Sequence, residues 1–170
     1  MTQAALPLPL ATLPLAPFLA LNNAFPRELS RVGEAQFRHL VDRACSAKGF
    51  TTPPGFLLAF DETAGIDGVN YLWFKARYDR FVYIDRVVID ASAQRRGYAS
   101  ALYADLIAWA HGAGHTCIGC EINADPPNPA SDAFHARFGF RSIGSAKLVD
   151  RGKTVRYMLL DLPSPLRQVR

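Results

Sequence analysis

The chain has 170 residues, 49% of them hydrophobic and 20% charged, with 19 Lys plus Arg against 15 Asp plus Glu and a formal net charge of +4. That length suits one domain around a single core, and the apolar content excludes wholesale disorder. No run of five or more basic residues marks a nucleic-acid arm, so no nucleic-acid partner is expected, although the small positive excess suits an anionic ligand.

Residues 1–17 read as a loose Pro/Leu-rich leader ahead of one domain over residues 18–170. The first twenty residues carry no charge and so no basic n-region, and Pro7, Pro9, Pro14 and Pro17 interrupt any helix that could cross a bilayer. No membrane partner is expected. Residues 18–23 then read as a short strand, and helical spacing of Phe37, Leu40, Val41 and Ala44 predicts a helix over 26–43. Residues 56–60 form an apolar run closed by acidic residues and glycines, which predicts a buried strand. The stretch 70–80 is aromatic and ambiguous. Residues 81–90, dominated by β-branched and aromatic side chains, give the strongest strand signal.

Leu102, Leu106 and Trp109 mark a helix over 97–110 with one buried stripe, stopped by Gly112 and Gly114. A strand over 116–122 follows, then a helix over 128–138 whose start is signed by Asn128 as cap and Pro129 in the first position. Residues 140–149 and 154–162 predict a closing hairpin. The order of elements implies an α/β (α+β layered) fold with a parallel pair inside a mixed sheet.

Cys45, Cys117 and Cys120 are too few for a disulfide scaffold and suit a reducing, cytoplasmic compartment. Cys117 and Cys120 form a C-x-x-C, but on a strand they point to opposite faces, so two buried thiols are expected rather than a metal or redox pair. The glycines between His111 and His115 break the helix that would align them, and no metal is expected.

The chemistry concentrates where the 81–90 strand hands over to the 97–110 helix, through Gln94-Arg-Arg-Gly97-Tyr-Ala99. The first amides of a helix lack intrahelical partners and sit at the positive end of its dipole, so they suit a phosphate. Gly97 allows close approach, and Arg95 and Arg96 add charge. This loop resembles the Gln/Arg-x-x-Gly-x-Gly/Ala pyrophosphate loop of the GNAT superfamily of N-acetyltransferases. Some thirty residues on, the stretch from Asn128 to Phe140 resembles the family's Asn-x-x-Ala-x-x-Leu-Tyr-x-x-x-Gly-Phe helix. The likeness is good over about residues 81–162 and rests on element order before that.

The resemblance implies a mostly antiparallel sheet of six to seven strands with one splayed parallel pair, flanked by about four helices. It implies acetyl-CoA as cosubstrate and an unidentified primary amine, on a small molecule or peptide, as acceptor, attacked directly in a ternary complex. The pantetheine arm would lie along Val87, Val88 and Ile89. The pyrophosphate would rest on the segment of Gln94, Arg95, Arg96, Gly97, Tyr98, Ala99 and Ser100. Asn128 matches a cofactor-contacting Asn, alongside its role as helix cap. Glu121 matches a carboxylate that some ribosomal-protein N-terminal acetyltransferases use as base, with Asp85 as rival; either could instead pair with an Arg such as Arg86.

The chain departs from the pattern at His135, which stands where the family usually has an acid Tyr. A His can serve a leaving thiolate, and Ser131, one helical turn earlier, could do so instead or touch the pantetheine. Phe134 and Phe138 read as core. Tyr71, Trp73, Phe74, Lys75, Arg77 and Tyr78 read either as a substrate wall or as cover for the sheet edge. The main alternative is a catalytically silent acyl-CoA sensor; a homodimer is left open.

Overall fold

A computed structural model describes residues 6–26, 28–52 and 54–163. Its strands are β1 (Leu8–Pro9), β2 (Ser46–Thr51), β3 (Pro54–Asp61), β4 (Phe81–Ile89), β5 (Cys117–Asp125), β6 (Arg141–Leu148) and β7 (Lys153–Asp161). Its helices are α1 (Ala16–Asn23), α2 (Glu34–Arg43), α3 (Val69–Lys75), α4 (Tyr98–Gly112) and α5 (Pro129–Arg137). The seven strands form one sheet in the order β1-β2-β3-β4-β5-β7-β6. The pairs β1–β2, β2–β3, β5–β7 and β6–β7 are antiparallel, and β4–β5 is parallel over only three register pairs, residues 81–83 with 117–119. This is the mixed, mostly antiparallel sheet that the resemblance implies, with five helices among the described residues in place of about four.

The chain forms two compact units, Met1–Gly65 with Ile84–Trp109, and Ile66–Tyr83 with Ala110–Arg170. In the first, Leu10, Phe18, Leu21, Phe37, Val41, Phe56, Leu58 and Val88 make one buried cluster. The rings of Phe18 and Phe37 meet Phe56 edge-on at 6.0 and 5.6 Å. Part of the leader expected over 1–17 therefore carries structure: Leu8 and Pro9 pair with Gly49 and Lys48, and Leu10 is fully buried. Residues 1–5 lie outside the described residues.

Two local readings need correction. Residues 18–23 are helical, because Phe18, Leu21 and Asn22 recur at three and four and bury one face, with Pro17 tolerated in the first turn. The next helix starts at Glu34 rather than residue 26. The chain before it is held by side chains instead: Asn22 Nδ2 donates to Ser30 O, Asn23 Nδ2 donates to Val32 O, and Val32 N donates back to Asn23 Oδ1. On α4, Asp105 pairs with Lys48 of β2 at 2.7 Å. The Tyr98 ring meets Phe50 edge-on at 5.1 Å.

In the second unit the ambiguous 70–80 stretch begins as α3, docked on the face of the sheet that carries Gly119, Glu121 and Tyr157. Two glycines make room for it. A Cβ on Gly119 would stand 2.2 Å from Phe74 Cε1, and one on Gly144 3.0 Å from Trp73 Cζ2. Trp73 stacks on Tyr157 at 4.0 Å and 17°. Helix α5 belongs to the opposite face: its Asp132 pairs with Arg156, which alternates with Tyr157 along β7.

Candidate active site

The anion-binding segment lies in the first unit. Asp90, closing β4, accepts from Ser92 N at 2.9 Å and from Ser92 Oγ at 2.5 Å, and these bonds hold its carboxyl below the usual range. Gln94 Nε2 reaches back to Ile89 O at 3.5 Å. Arg95 then takes φ +60° and Gly97 φ +88°, two left-handed turns of backbone within three residues. The Ala101 amide makes the first helical bond, to Gly97 O at 3.0 Å, so the amides of Tyr98, Ala99 and Ser100 precede the intrahelical ladder. A Cβ on Gly97 would meet nothing within 4 Å, so glycine serves the conformation and leaves the loop open. Arg95 and Arg96 are exposed beside these amides. Successive N–H groups, a fifteen-residue helix and two guanidiniums fit a pyrophosphate.

Val88 is buried in the first unit's core, and Val87 and Ile89 are half-buried and alternate with it. Asp85 shares their parity but is already paired: Arg86 Nε donates to its Oδ2 at 2.7 Å, while Arg86 Nη1 donates to Asn22 Oδ1 at 2.8 Å.

Glu121 lies in the second unit with a partner that sequence reasoning missed. Tyr83, 2% exposed, donates its hydroxyl to Glu121 Oε2 at 2.8 Å. Tyr157 is the register partner of Glu121 and donates its own hydroxyl to Asn70 Oδ1 at 3.0 Å. Burial pushes the Tyr157 phenol up, the Glu121 charge adds to this, and Arg77 opposes it. The half-buried carboxylate of Glu121 thus sits among phenols. The signal for Tyr83 was its place on the strongest strand, but its meaning depended on the register with β5.

On α5 the structure joins three of the sequence-predicted residues. Asn128 Oδ1 caps the helix by accepting from Ser131 N at 3.2 Å. His135 Nδ1 lies 2.8 Å from Ser131 O and 3.3 Å from Ser131 Oγ. A carbonyl only accepts, so Nδ1 carries the proton and the neutral ring leaves Nε2 as its acceptor nitrogen. His135 is 5% exposed and meets Phe134 and Phe140 edge-on. Burial pulls its pKa down, against smaller upward effects of the Ser131 bond and Asp132. Ser131 and His135 are thus together, and α5 belongs to the face of β7 opposite the one that carries Glu121.

The cysteines are all free, with Cys117 and Cys120 buried and on opposite faces of β5. Burial raises both thiols, and Cys45, which donates to Ala59 O, is pushed up to about 12 by burial first and then by Asp61. Among the described residues no group of three or more His, Cys, Asp or Glu could hold a metal ion, and no helix is long and apolar enough to cross a membrane.

No functionally curated protein matches the sequence significantly. Solved structures with a similar backbone include Arabidopsis thaliana NAA60 in complex with a bisubstrate analogue, at TM-score 0.67 and 15% identity over 89% of this chain and 94% of that one. The ribosomal-protein-S18-alanine N-acetyltransferase from Escherichia coli matches at TM-score 0.61 and 15% identity, covering 91% of this chain and 94% of its own. The NatC complex bound to Gag peptide and CoA matches at TM-score 0.65 and 14% identity, covering 88% and 91%. At such identities the likeness is one of fold. The acetyltransferase (GNAT) family profile matches residues 20–140, most of the chain, and the chain belongs to that family.

Proposed function

We propose that this protein is an N-acetyltransferase that moves an acetyl group from acetyl-CoA to a primary amine by direct attack. The observation that carries the reading is the Tyr83–Glu121 pair at 2.8 Å, in a chain whose Arg95–Gly97 turn opens a helix suited to a pyrophosphate. Acetyl-CoA supplies the acyl thioester. The amides of Tyr98, Ala99 and Ser100, with Arg95 and Arg96, hold its diphosphate, and the backbone of Val87, Val88 and Ile89 lies along its pantetheine.

Glu121 takes the proton from the acceptor ammonium. Tyr83 fixes the orientation of that carboxylate by donating to Oε2 at 2.8 Å. Asp85, committed to Arg86, serves to fix that guanidinium. For the leaving sulfur we favour Ser131 over His135; acting from the sheet face opposite Glu121, it would serve the sulfur and not the acceptor amine. His135 Nδ1–H is directed to Ser131 O, so the Ser131 hydroxyl keeps its own hydrogen to donate. Three unpaired thiols suit a reducing, cytoplasmic setting.

Calorimetric titration with acetyl-CoA, followed by thiol release across an amine panel, tests the reading. Binding with turnover is expected, and Glu121→Gln should lower kcat on the order of 100-fold or more with little change in acetyl-CoA affinity. A folded protein that does not bind acetyl-CoA refutes it. Binding with no turnover on any amine favours an acyl-CoA sensor, which the His135 departure also allows.

A further inference from the structure

Helix α3 is the element that standard function leaves unexplained. It occupies the β3–β4 connection and covers the face of β5 and β7 on which Glu121 lies, through Phe74 over Gly119 and Trp73 over Gly144 and Tyr157. Just beyond its end stands Arg77. Its guanidinium carbon lies 4.0 Å from the centre of the Trp73 ring, and Nη1 donates to Trp73 O at 2.9 Å. Guanidinium, indole and phenol thus form a three-layer stack that ends beside Glu121, the register partner of Tyr157.

An arginine fixed in this way gives up side-chain freedom, which an ion pair normally offsets. Among the described residues no carboxylate pairs with Arg77. The same holds for Lys75, which lies 5.8 Å over the Tyr71 ring. Asp79 and Arg80 follow in the turn, and Arg80 is tied to Ala113 O. The Tyr157 hydroxyl responds to Glu121 and Arg77 in opposite senses, so a negative and a positive charge act on the same spot.

Resting on the acetyltransferase reading, we infer that Arg77 selects the acceptor, and that the acceptor is an amine whose chain also carries a carboxylate, held by the Arg77 fork. Two ring layers, each about one stacking distance of 4.0 Å thick, separate Arg77 from the Tyr157 end of the stack. Amine and carboxylate must therefore stand several bonds apart, with the linking chain running past the edge of Trp73, whose two faces are covered by Arg77 and Tyr157. An ω-amino acid meets this description, and so does a peptide N-terminus followed by an acidic side chain. A free α-amino acid does not.

Acetylation rates with saturating acetyl-CoA should be compared for 6-aminohexanoate against 6-aminohexanamide, and for two short peptide amides that differ by Glu or Gln at the second residue. The carboxylate member of at least one pair is expected to have a kcat/KM higher on the order of tenfold, expressed in KM, and the pair that shows it identifies the source. Arg77→Gln should collapse that ratio and Arg77→Glu invert it. Equal use of both members of both pairs, or an Arg77→Gln ratio unchanged from wild type, overturns the inference and leaves the acetyltransferase reading standing. A second readout needs no turnover: in a Trp109→Phe background, 6-aminohexanoate or the Glu peptide should perturb Trp73 fluorescence, and Arg77→Gln should abolish this. That perturbation without turnover on any amine keeps the Arg77 site and refutes the acetyltransferase; its absence for both probes overturns the site.

Discussion

Adding one methyl group at Gly119 should unseat α3. The new Cβ would stand 2.2 Å from Phe74 Cε1 and 2.6 Å from Cδ1 and Cζ, whereas carbon atoms settle at about 3.5–4.0 Å. Phe74 is fully buried, with the rings of Trp73, Tyr78, Phe81, Tyr83 and Tyr157 centred 5.1 to 6.3 Å away, so it has no free direction to move. Overpacking of this kind costs about 1–3 kcal/mol, and a wedge against a boxed ring belongs at the upper end, about 3 kcal/mol. For a chain of this size that lowers Tm by roughly 6–12 °C. Urea unfolding followed by near-ultraviolet circular dichroism reads the cost. Phe74→Leu alone should cost about 1–2 kcal/mol, and the double variant should recover at least about 1 kcal/mol relative to the sum of the singles. Gly112→Ala, where a Cβ meets nothing, is the control and should be neutral or slightly stabilising. A Gly119→Ala protein within about 0.5 kcal/mol of wild type, or strict additivity with Phe74→Leu, would refute this packing account.

Two further outcomes follow from the site. Burial lowers the His135 pKa below its ordinary 6.5, so the unfolded chain takes up that proton first as pH falls. Stability from this group is complete above about pH 6.5 and declines as pH drops toward the folded value. His135→Gln should flatten the pH dependence of the urea midpoint between about pH 7 and 5, and an unchanged slope would contradict the assignment. At Gly97, φ +88° with open space beyond means that alanine meets strain rather than a clash, costing about 1–2 kcal/mol. Gly97→Ala should therefore weaken acetyl-CoA binding several-fold in calorimetry, and an unchanged Kd would show that the turn is not where the diphosphate sits.

Local signals carried the second half of the chain. Asn128 and Pro129 announce α5, and Leu102, Leu106 and Trp109 announce α4, because caps and helical stripes are written within a few residues. The loop from Gln94 to Ala99 is legible for the same reason. What escaped depends on distant partners. Leu10 looks like any other leucine of a Pro-rich leader until Phe18, Phe37 and Phe56 surround it. The β2 strand, with Lys48 and Gly49 in it, lacks the alternation that would mark it and is defined by its pairing with β3. Residues 18–23 are too short for their period to separate helix from strand, although Phe18, Leu21 and Asn22 carried the helical hint. Tyr83 and Glu121 are 38 residues apart, and only the β4–β5 register brings them together.

The link between Asn23 and Val32 also has a bearing on how the protein ages. Asn23 uses both ends of its side-chain amide, donating to Val32 O and accepting from Val32 N. Deamidation to aspartate keeps the acceptor, removes the donor, and sets a carboxylate oxygen against a carbonyl oxygen. Its neighbour Asn22 would respond differently, since its Oδ1 already faces the Arg86 guanidinium and a charge there would gain a partner while the Ser30 bond is lost. One hydrolytic event, chemically identical at two adjacent residues, would thus release Val32 in one case and Ser30 in the other, and only at Asn22 would the new charge meet a cation. Stored protein should reveal which has occurred by where protease first cuts.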